Sequence, residues 1–524
     1  MPGYLALVLH AHLPFVRHPE HEKFLEESWL FEAITETYLP LLQLLEGWQR
    51  DRLAARLTLT LSPTLCSMLL DPLVKDRYQR HLDGLVELAE KETLRTRWES
   101  ATQPLAAMYH RRFLSVRETY AGYQRNLVGA FRSFQESGYL EIITTAATHA
   151  LLPLMVGHLP SLRAQILAAR DHYRSCFGRE PRGIWLPECA YAAGIEQLLQ
   201  EANLRWFALD THGLLHANPR PRFGVFAPIF TSNGIAAFGR DFESATQVWS
   251  RHEGYPGDRR YRDFYRDIGF DLDLDYVRPY LPSPLHRGFT GIKYHRITGP
   301  EGAKEVYDRA TALGVAEEHA SHFLRMRLEQ VERLAGVMDR PPIMVSPYDA
   351  ELFGHWWYEG PDFLDLLVRK ICGDPQAFNL ITPEEYLRRH PTNQFSNPSE
   401  SSWGEEGYWR AWLNETNEWI YPHVRVAQER MSELVTRFSK PDGLTLRALQ
   451  QAGRELMLAQ ASDWPFILRT GTSPAYATRR VKSHLLRFLN IYEQLIGGSV
   501  DSTWLGRIEA VDNLFPDLNP DYWA

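Results

Sequence analysis

The feature that most constrains this chain is a rhythm. Short apolar runs at residues 5–9, 57–61, 140–144, 183–186, 206–209, 235–238 and 343–346, with a weaker one at 379–381, alternate with longer stretches of helical periodicity. Strands that alternate with helices pair in parallel, and uninterrupted apolar strands are covered on both faces. Each of the seven stronger runs also leads into residues capable of chemistry. His10 and His12 follow the first, Ser62 the second, His149 the third and Glu188 the fourth. Asp210 and His212 follow the fifth, Arg240 and Asp241 the sixth, Tyr348 and Asp349 the seventh. In a parallel barrel all C-terminal strand ends meet on one face, where such folds build their sites. The recurrence predicts an α/β chain with a barrel and a site in its mouth. An open doubly wound sheet is the alternative, but no GxGxxG turn supports it.

Two insertions break the rhythm. Residues 66–136 read as helical, on spacings such as Leu85, Leu88 and Phe113. Residues 240–300 are rich in Tyr, Asp, Gly and Arg and read as a long ordered loop, a kind of segment that is usually functional. From about residue 420 the pattern turns helical throughout, with Val424, Ala427, Met431, Leu434 and Val435, then Leu485, Phe488, Leu489 and Tyr492. The expected division is a catalytic barrel over 1–395 and an all-α domain over 396–524 packed against it.

Composition narrows the function. A net charge of −8 without a Lys/Arg-rich block disfavours nucleic acid. The apolar run at the N-terminus is too short for a membrane span and has no charged residue before it, and no stretch of about twenty apolar residues occurs elsewhere. No membrane partner is expected. Cys66, Cys176, Cys189 and Cys372 form no CxxC pair, which argues against a disulfide framework or structural zinc and favours a reducing cytoplasm. Of 15 tryptophans, Trp356, Trp357, Trp403, Trp409, Trp412 and Trp419 crowd into one short stretch. A core does not need that density; flat aromatic faces are what sugar rings stack on.

Glu188 lies in Gly183-Ile-Trp-Leu-Pro-Glu-Cys-Ala-Tyr191, and Asp349 in Ile343-Met-Val-Ser-Pro-Tyr-Asp-Ala-Glu-Leu-Phe-Gly-His-Trp-Trp357. Two carboxylates at the tips of two barrel strands can face each other, as glycoside hydrolysis requires. Taken singly, each could be a helix N-cap or an ion-pair partner. Glu351 competes for the acid role. His10 and His12, two residues apart on an extended segment, share a face and could ligate a metal. No HExxH supplies a third ligand, so the expectation is that they bind sugar hydroxyls or orient the carboxylates. His149, His212 and His355 are further candidates for the site wall. Cys189 could be a thiol nucleophile, but a small buried residue is the plainer reading.

Five blocks in order carry a resemblance: His10-Ala-His-Leu-Pro14, Glu141-Ile-Ile-Thr-Thr-Ala-Ala-Thr-His149, Trp185-Leu-Pro-Glu-Cys-Ala-Tyr191, Pro347 to Trp357, and Glu400-Ser-Ser-Trp-Gly404. Together they resemble glycoside hydrolase family 57, and within it the α-1,4-glucan branching enzymes; Ala461-Ser-Asp-Trp-Pro-Phe466 resembles the helical C-terminal domain of that subgroup. The resemblance implies a (β/α)7 barrel with a helical insertion and a C-terminal helical bundle. It implies a retaining mechanism with Glu188 as nucleophile and Asp349 as general acid/base, no cofactor and no metal. Donor and acceptor would both be α-1,4-glucan, with transfer to a 6-hydroxyl, in a monomer or weak homo-oligomer. The residues expected against substrate are His10, His12, His149, Trp185, Arg240, Tyr255, Arg287, Tyr294, His355, Trp356, Trp357, Trp403, Trp412, Asp463 and Trp464. The loop carrying Tyr255 resembles one that covers the site in transferring members. Lys293-Tyr-His-Arg296 departs from the pattern, where a tryptophan is expected, and that bears on acceptor positioning. The competing activities are an α-amylase-like hydrolase or 4-α-glucanotransferase on the same scaffold, and a metal-dependent polysaccharide deacetylase.

Overall fold

A computed structural model describes residues 2–250, 253–283, 286–298, 304–374 and 378–524. Ten strands are present among them: β1 (Gly3–Ala11), β2 (Leu57–Leu61), β3 (Leu140–Ile143), β4 (Gly183–Ile184), β5 (Trp206–Leu209), β6 (Ile229–Phe230), β7 (Ala236–Gly239), β8 (Ile343–Asp349), β9 (Phe378–Leu380) and β10 (Gln394–Phe395). All eight expected runs form strands. β6 and β10 were not foreseen, because two residues are too few to establish a period.

The strands make two five-stranded sheets, ordered β3-β2-β1-β8 with β9 beside β1, and β10-β6-β7-β5-β4. Every pairing is parallel except β6 with β7. The sheets meet at two seams, each a single parallel bridge: Thr144 with Ile184 and Arg240 with Val345. Seven parallel strands thus follow one another round a ring, with continuous ladders inside each sheet and one bridge at each seam.

Alternation along β1 shows how the ring is filled. Leu5, Leu7, Leu9 and Ala11 face the helices, whereas Tyr4, Ala6 and Val8 join Ile143, Trp185, Trp206, Phe238, Ile343 and Val345 in an interior cluster. The next residue on the interior side is His10, which stands in register with Asp349 of β8 and Thr60 of β2. The packed interior ends where the polar residues begin.

The first insertion is helical, over Pro63–Leu70, Pro72–Arg95, Gln103–Gly122 and Leu127–Glu136. Within 240–300 the described residues form the helix Phe242–Trp249 and then a series of short helical turns. Beyond Ile420 the regular elements are all helical: Ile420–Arg437, Gly443–Ala459, Asp463–Thr470, Pro474–Ile496 and Ser502–Val511, closed by a short 3-10 turn. These helices belong to the same hydrophobic cluster as the outer face of β1. Arg17 staples the parts together. Its Nε donates to Asp71 at 2.9 Å and its Nη1 to the carbonyls of Ala510 and Val511. Among the described residues no helix is long and apolar enough to cross a membrane.

Candidate active site

Glu188 lies four residues beyond the end of β4, in the short 3-10 turn Pro187–Cys189. Gly183 begins that strand because a Cβ there would lie 2.3 Å from the Trp206 ring. Glu188 takes a left-handed backbone, φ 62°, as do Cys189 at 49° and His149 at 58°. Non-glycine residues in that region cost of order 1 kcal/mol or more each and gather at functional sites. The Glu188 carboxylate accepts a hydrogen bond from Trp403 Nε1 at 2.6 Å, and its carbonyl accepts from the Trp403 backbone N–H at 3.1 Å. Gly404 allows this approach, since its Cβ would meet the buried Trp412 ring at 2.4 Å. Trp403 is packed on three sides: Trp185 edge-on at 5.1 Å, the Arg240 guanidinium at 5.6 Å, and the exposed Trp249 stacked at 6.3 Å.

Asp349, the last residue of β8, stands in register with His10 of β1, near enough for its charge to act on Glu188. Burial raises both carboxyls. Glu188 reaches about 8, opposed by the Trp403 hydrogen bond and reinforced by the charges of Asp349 and Asp463. Asp349 reaches about 6, with His12 and Arg240 holding it down. Arg240 is itself paired with Asp210 at 3.1 Å, which also takes His212 Nδ1 at 3.1 Å.

The histidines form one array. His10 stacks on Trp185 at 4.5 Å and His12 on His149 at 3.9 Å. His10 Nε2 is 2.9 Å from His149 Nε2, so these two rings carry opposite tautomers across that bond. Burial keeps both well below the usual histidine range, hence neutral. The C-terminal helices finish the array: Ser462 Oγ bonds His149 Nδ1 at 2.9 Å, and Asp463 bonds His12 Nε2 at 3.1 Å. Ser62 Oγ takes His12 Nδ1 at 2.9 Å. Glu351, the rival acid, is anchored instead by Tyr38 and by the His12 backbone N–H. One ligand atom from each of His12, His149 and Asp463 can lie within 4.8 Å of the others. The two rings are stacked with 16° between their planes, so their in-plane lone pairs run side by side instead of converging on one ion.

Glu188, Asp349, His10, His12, His149, Trp185, Arg240, Trp403 and Asp463 are therefore brought together. His355 and Trp356 lie beside the second insertion. Trp356 is 53% exposed and stacks on Phe264 at 4.6 Å, and His355 Nδ1 meets Glu36 at 2.6 Å. The other expected residues have contacts elsewhere. Tyr255 is buried on the helix Arg309–Leu334, with its hydroxyl 2.7 Å from His322 Nδ1 and its ring stacked on His319 at 4.4 Å. Tyr294 gives its hydroxyl to Glu92 at 2.8 Å, and Arg287 braces the carbonyls of Gly269 and Leu272. Trp357, Trp412 and Trp464 are core residues, and Trp464 Nε1 is bonded to the Leu458 carbonyl. The departure at Lys293 is a buried lysine between the rings of Phe264 and Phe289, at 4.2 and 4.6 Å. Sequence reasoning missed Trp249, Tyr38 and Ser462. Only Ser462 carried a signal, its place beside Asp463 in the last block.

The profile described as glycosyl hydrolase family 57 matches residues 6–298, and that described as 1,4-alpha-glucan branching enzyme, C-terminal, matches 423–523. The chain is 33% identical to the 1,4-alpha-glucan branching enzyme TK1436 of Thermococcus kodakarensis, over 98% of this chain and 78% of that one. Among solved structures, alpha-amylase AmyC from Thermotoga maritima matches with a TM-score of 0.94 and 42% identity, covering 100% of this chain and 99% of that one. The GH57-type branching enzyme from Pyrococcus horikoshii matches with a TM-score of 0.90 and 32% identity, covering 100% and 97%. On these matches, and on the two carboxylates at facing strand ends, the chain belongs to glycosyl hydrolase family 57.

Proposed function

We propose that the chain is a 1,4-α-glucan branching enzyme working by retaining double displacement. The observation that carries the reading is the join between Ser462–Asp463 of the helical region matched by the branching-enzyme profile and the histidines beside Glu188 and Asp349. That helical region, read as a domain over 396–524, thereby contributes to the chemistry of a barrel read as 1–395. The near full-length likeness to a branching enzyme supports the same conclusion.

In the first step Glu188 attacks the anomeric carbon of an α-1,4 link while Asp349 protonates the leaving oxygen. The glycosyl bond to oxygen breaks, a glycosyl ester to Glu188 forms, and the reducing-end fragment departs. In the second step Asp349, now ionised, takes the proton from the 6-hydroxyl of an acceptor glucan, whose oxygen displaces Glu188 and forms the branch. Trp403 holds Glu188 in its attacking orientation and stabilises its ionised form. The neutral histidines can give and take hydrogen bonds to sugar hydroxyls without adding charge to the site. The paired faces of Trp403 with Trp249, and of Trp356 with Phe264, are platforms on which glucose rings can lie.

The likeness to an α-amylase favours a second reading, in which water resolves the intermediate. Incubation with amylose separates the two. Branching creates chains released by a debranching enzyme, with few new reducing ends. A steady rise in reducing ends without debranching-sensitive links would make the protein a hydrolase.

A further inference from the structure

Four side chains outside the barrel mouth form a second reactive group. Cys66, in the helix Pro63–Leu70, is 1% exposed. Cys176, near the end of the helix Leu159–Phe177, is half-buried. The two helices pack together, which brings the thiols near enough to act on each other's titration, and the Cys66 sulfur also reaches the Leu61 carbonyl at 4.0 Å. One helical turn before Cys176 stands His172, with Nδ1 3.6 Å from the Cys176 sulfur. His172 Nε2 is 3.0 Å from the hydroxyl of Ser67, the neighbour of Cys66. His172 thus ties the Cys176 sulfur to the turn of helix that carries Cys66 and Ser67.

We propose that Cys66 and Cys176 are a thiol–disulfide exchange site whose oxidant is a low-molecular-weight disulfide, with Cys176 attacking and Cys66 resolving. Exposure assigns the roles, since an outside disulfide can reach Cys176 and not Cys66. Hydrogen bonding assigns them the same way. The S–H of Cys66, against the effect of burial and with help from His172, brings the Cys176 thiol down to about 5. Its role as donor to Cys176, and then burial, hold Cys66 well above the usual range. The thiolate is the nucleophile in such exchange, and a thiol that stays protonated waits for the second step.

The Cys176 thiolate attacks one sulfur of the oxidant and the other leaves as a thiolate. Cys66 then gives its proton to a departing thiolate and attacks the Cys176 sulfur, expelling the second half. Two protein thiols are oxidised to one disulfide and the small disulfide is reduced to two thiols. The link would close one turn from Ser62, whose carbonyl accepts the Cys66 N–H at 2.9 Å and whose hydroxyl holds His12.

The test is oxidised glutathione added to the reduced full-length chain, followed by peptide mapping. The expected product has lost two hydrogens, carries no glutathione and links the peptides of Cys66 and Cys176. Cys66→Ser should leave a glutathione adduct stranded on Cys176; Cys66→Ala serves if serine prevents folding. Cys176→Ser should give neither product. With iodoacetamide at neutral pH, Cys176 should react roughly tenfold or more faster than Cys372, which is also half-buried and whose thiol burial raises. A wild-type chain that keeps the adduct on Cys176, or labels Cys372 as fast as Cys176, or forms no Cys66–Cys176 link, overturns the proposal.

Discussion

The hydrogen bond from Trp403 to Glu188 works against the burial that lifts this carboxyl. A hydrogen bond to a charged group is worth about 1.5–3 kcal/mol. Trp403→Phe, which keeps the aromatic face and removes the donor, should lower kcat/KM by roughly 10–100-fold on amylose. An unchanged rate would show that Glu188 does not depend on this contact. Titration gives a second expectation. With both carboxyls protonated there is no nucleophile, and with both ionised there is no acid, so the singly protonated pair is the working form. The kcat/KM profile should rise as pH passes about 6 and fall as it passes about 8. A profile flat from pH 5 to 9 would contradict the pairing. In the empty site the higher value of Glu188 leaves the proton there, so catalysis needs the tautomer with the proton on Asp349. The placement of Glu188 and Asp349 in one site was legible because a carboxylate at or close behind the end of a buried strand has few places to go. Tyr255 was not. An aromatic in a long loop reads the same whether it faces a ligand or packs on a neighbouring helix, and here His319 and His322 capture it.

At the scale of elements, β4 is the tightest place in the ring, only two residues long and bridged to β3 through Thr144. Gly183→Ala would drive a methyl group into the Trp206 indole. Overpacking of this kind costs about 1–3 kcal/mol. The denaturation midpoint should fall accordingly; a midpoint equal to wild type would mean that Trp206 turns aside freely. Every expected strand was readable from its apolar run, because burial on both faces leaves a continuous signal. β6, which turns back on β7, and its partner β10 left no such mark: Phe230 is half-buried and Phe395 is exposed. The tryptophan cluster read as a sugar wall proves mixed. Trp403 and Trp356 stay near the surface, whereas Trp357 and Trp412 pack inward, and spacing alone cannot separate those outcomes.

At the scale of the molecule, the C-terminal helices and the barrel share one hydrophobic cluster and one histidine array. Arg17 is central to that union, as it bonds Asp71 of the insertion and two carbonyls near residue 510. Arg17→Ala would leave Asp71 buried with only Asn513 and the backbone N–H of Val74 as partners. Removing one member of a buried ion pair costs about 3–5 kcal/mol. The variant should melt at lower temperature than wild type, and both should unfold in one transition. Two separated transitions in the wild-type chain would contradict a shared core. The helical nature of residues beyond 420 was legible from periodicity. Their delivery of Asp463 and Ser462 to His12 and His149 depends on contacts spanning most of the chain, which no local pattern encodes.

Double displacement requires Glu188 to form a bond to the sugar, and a trapped intermediate tests that most directly. Asp349→Asn removes the base needed for the second step, while a maltooligosyl fluoride needs no acid to leave in the first. After brief reaction, acid quench and peptide mapping, the sugar should be attached to the peptide 183–191 at Glu188. A sugar on Glu351, or free product of inverted configuration with no adduct anywhere, would contradict the account.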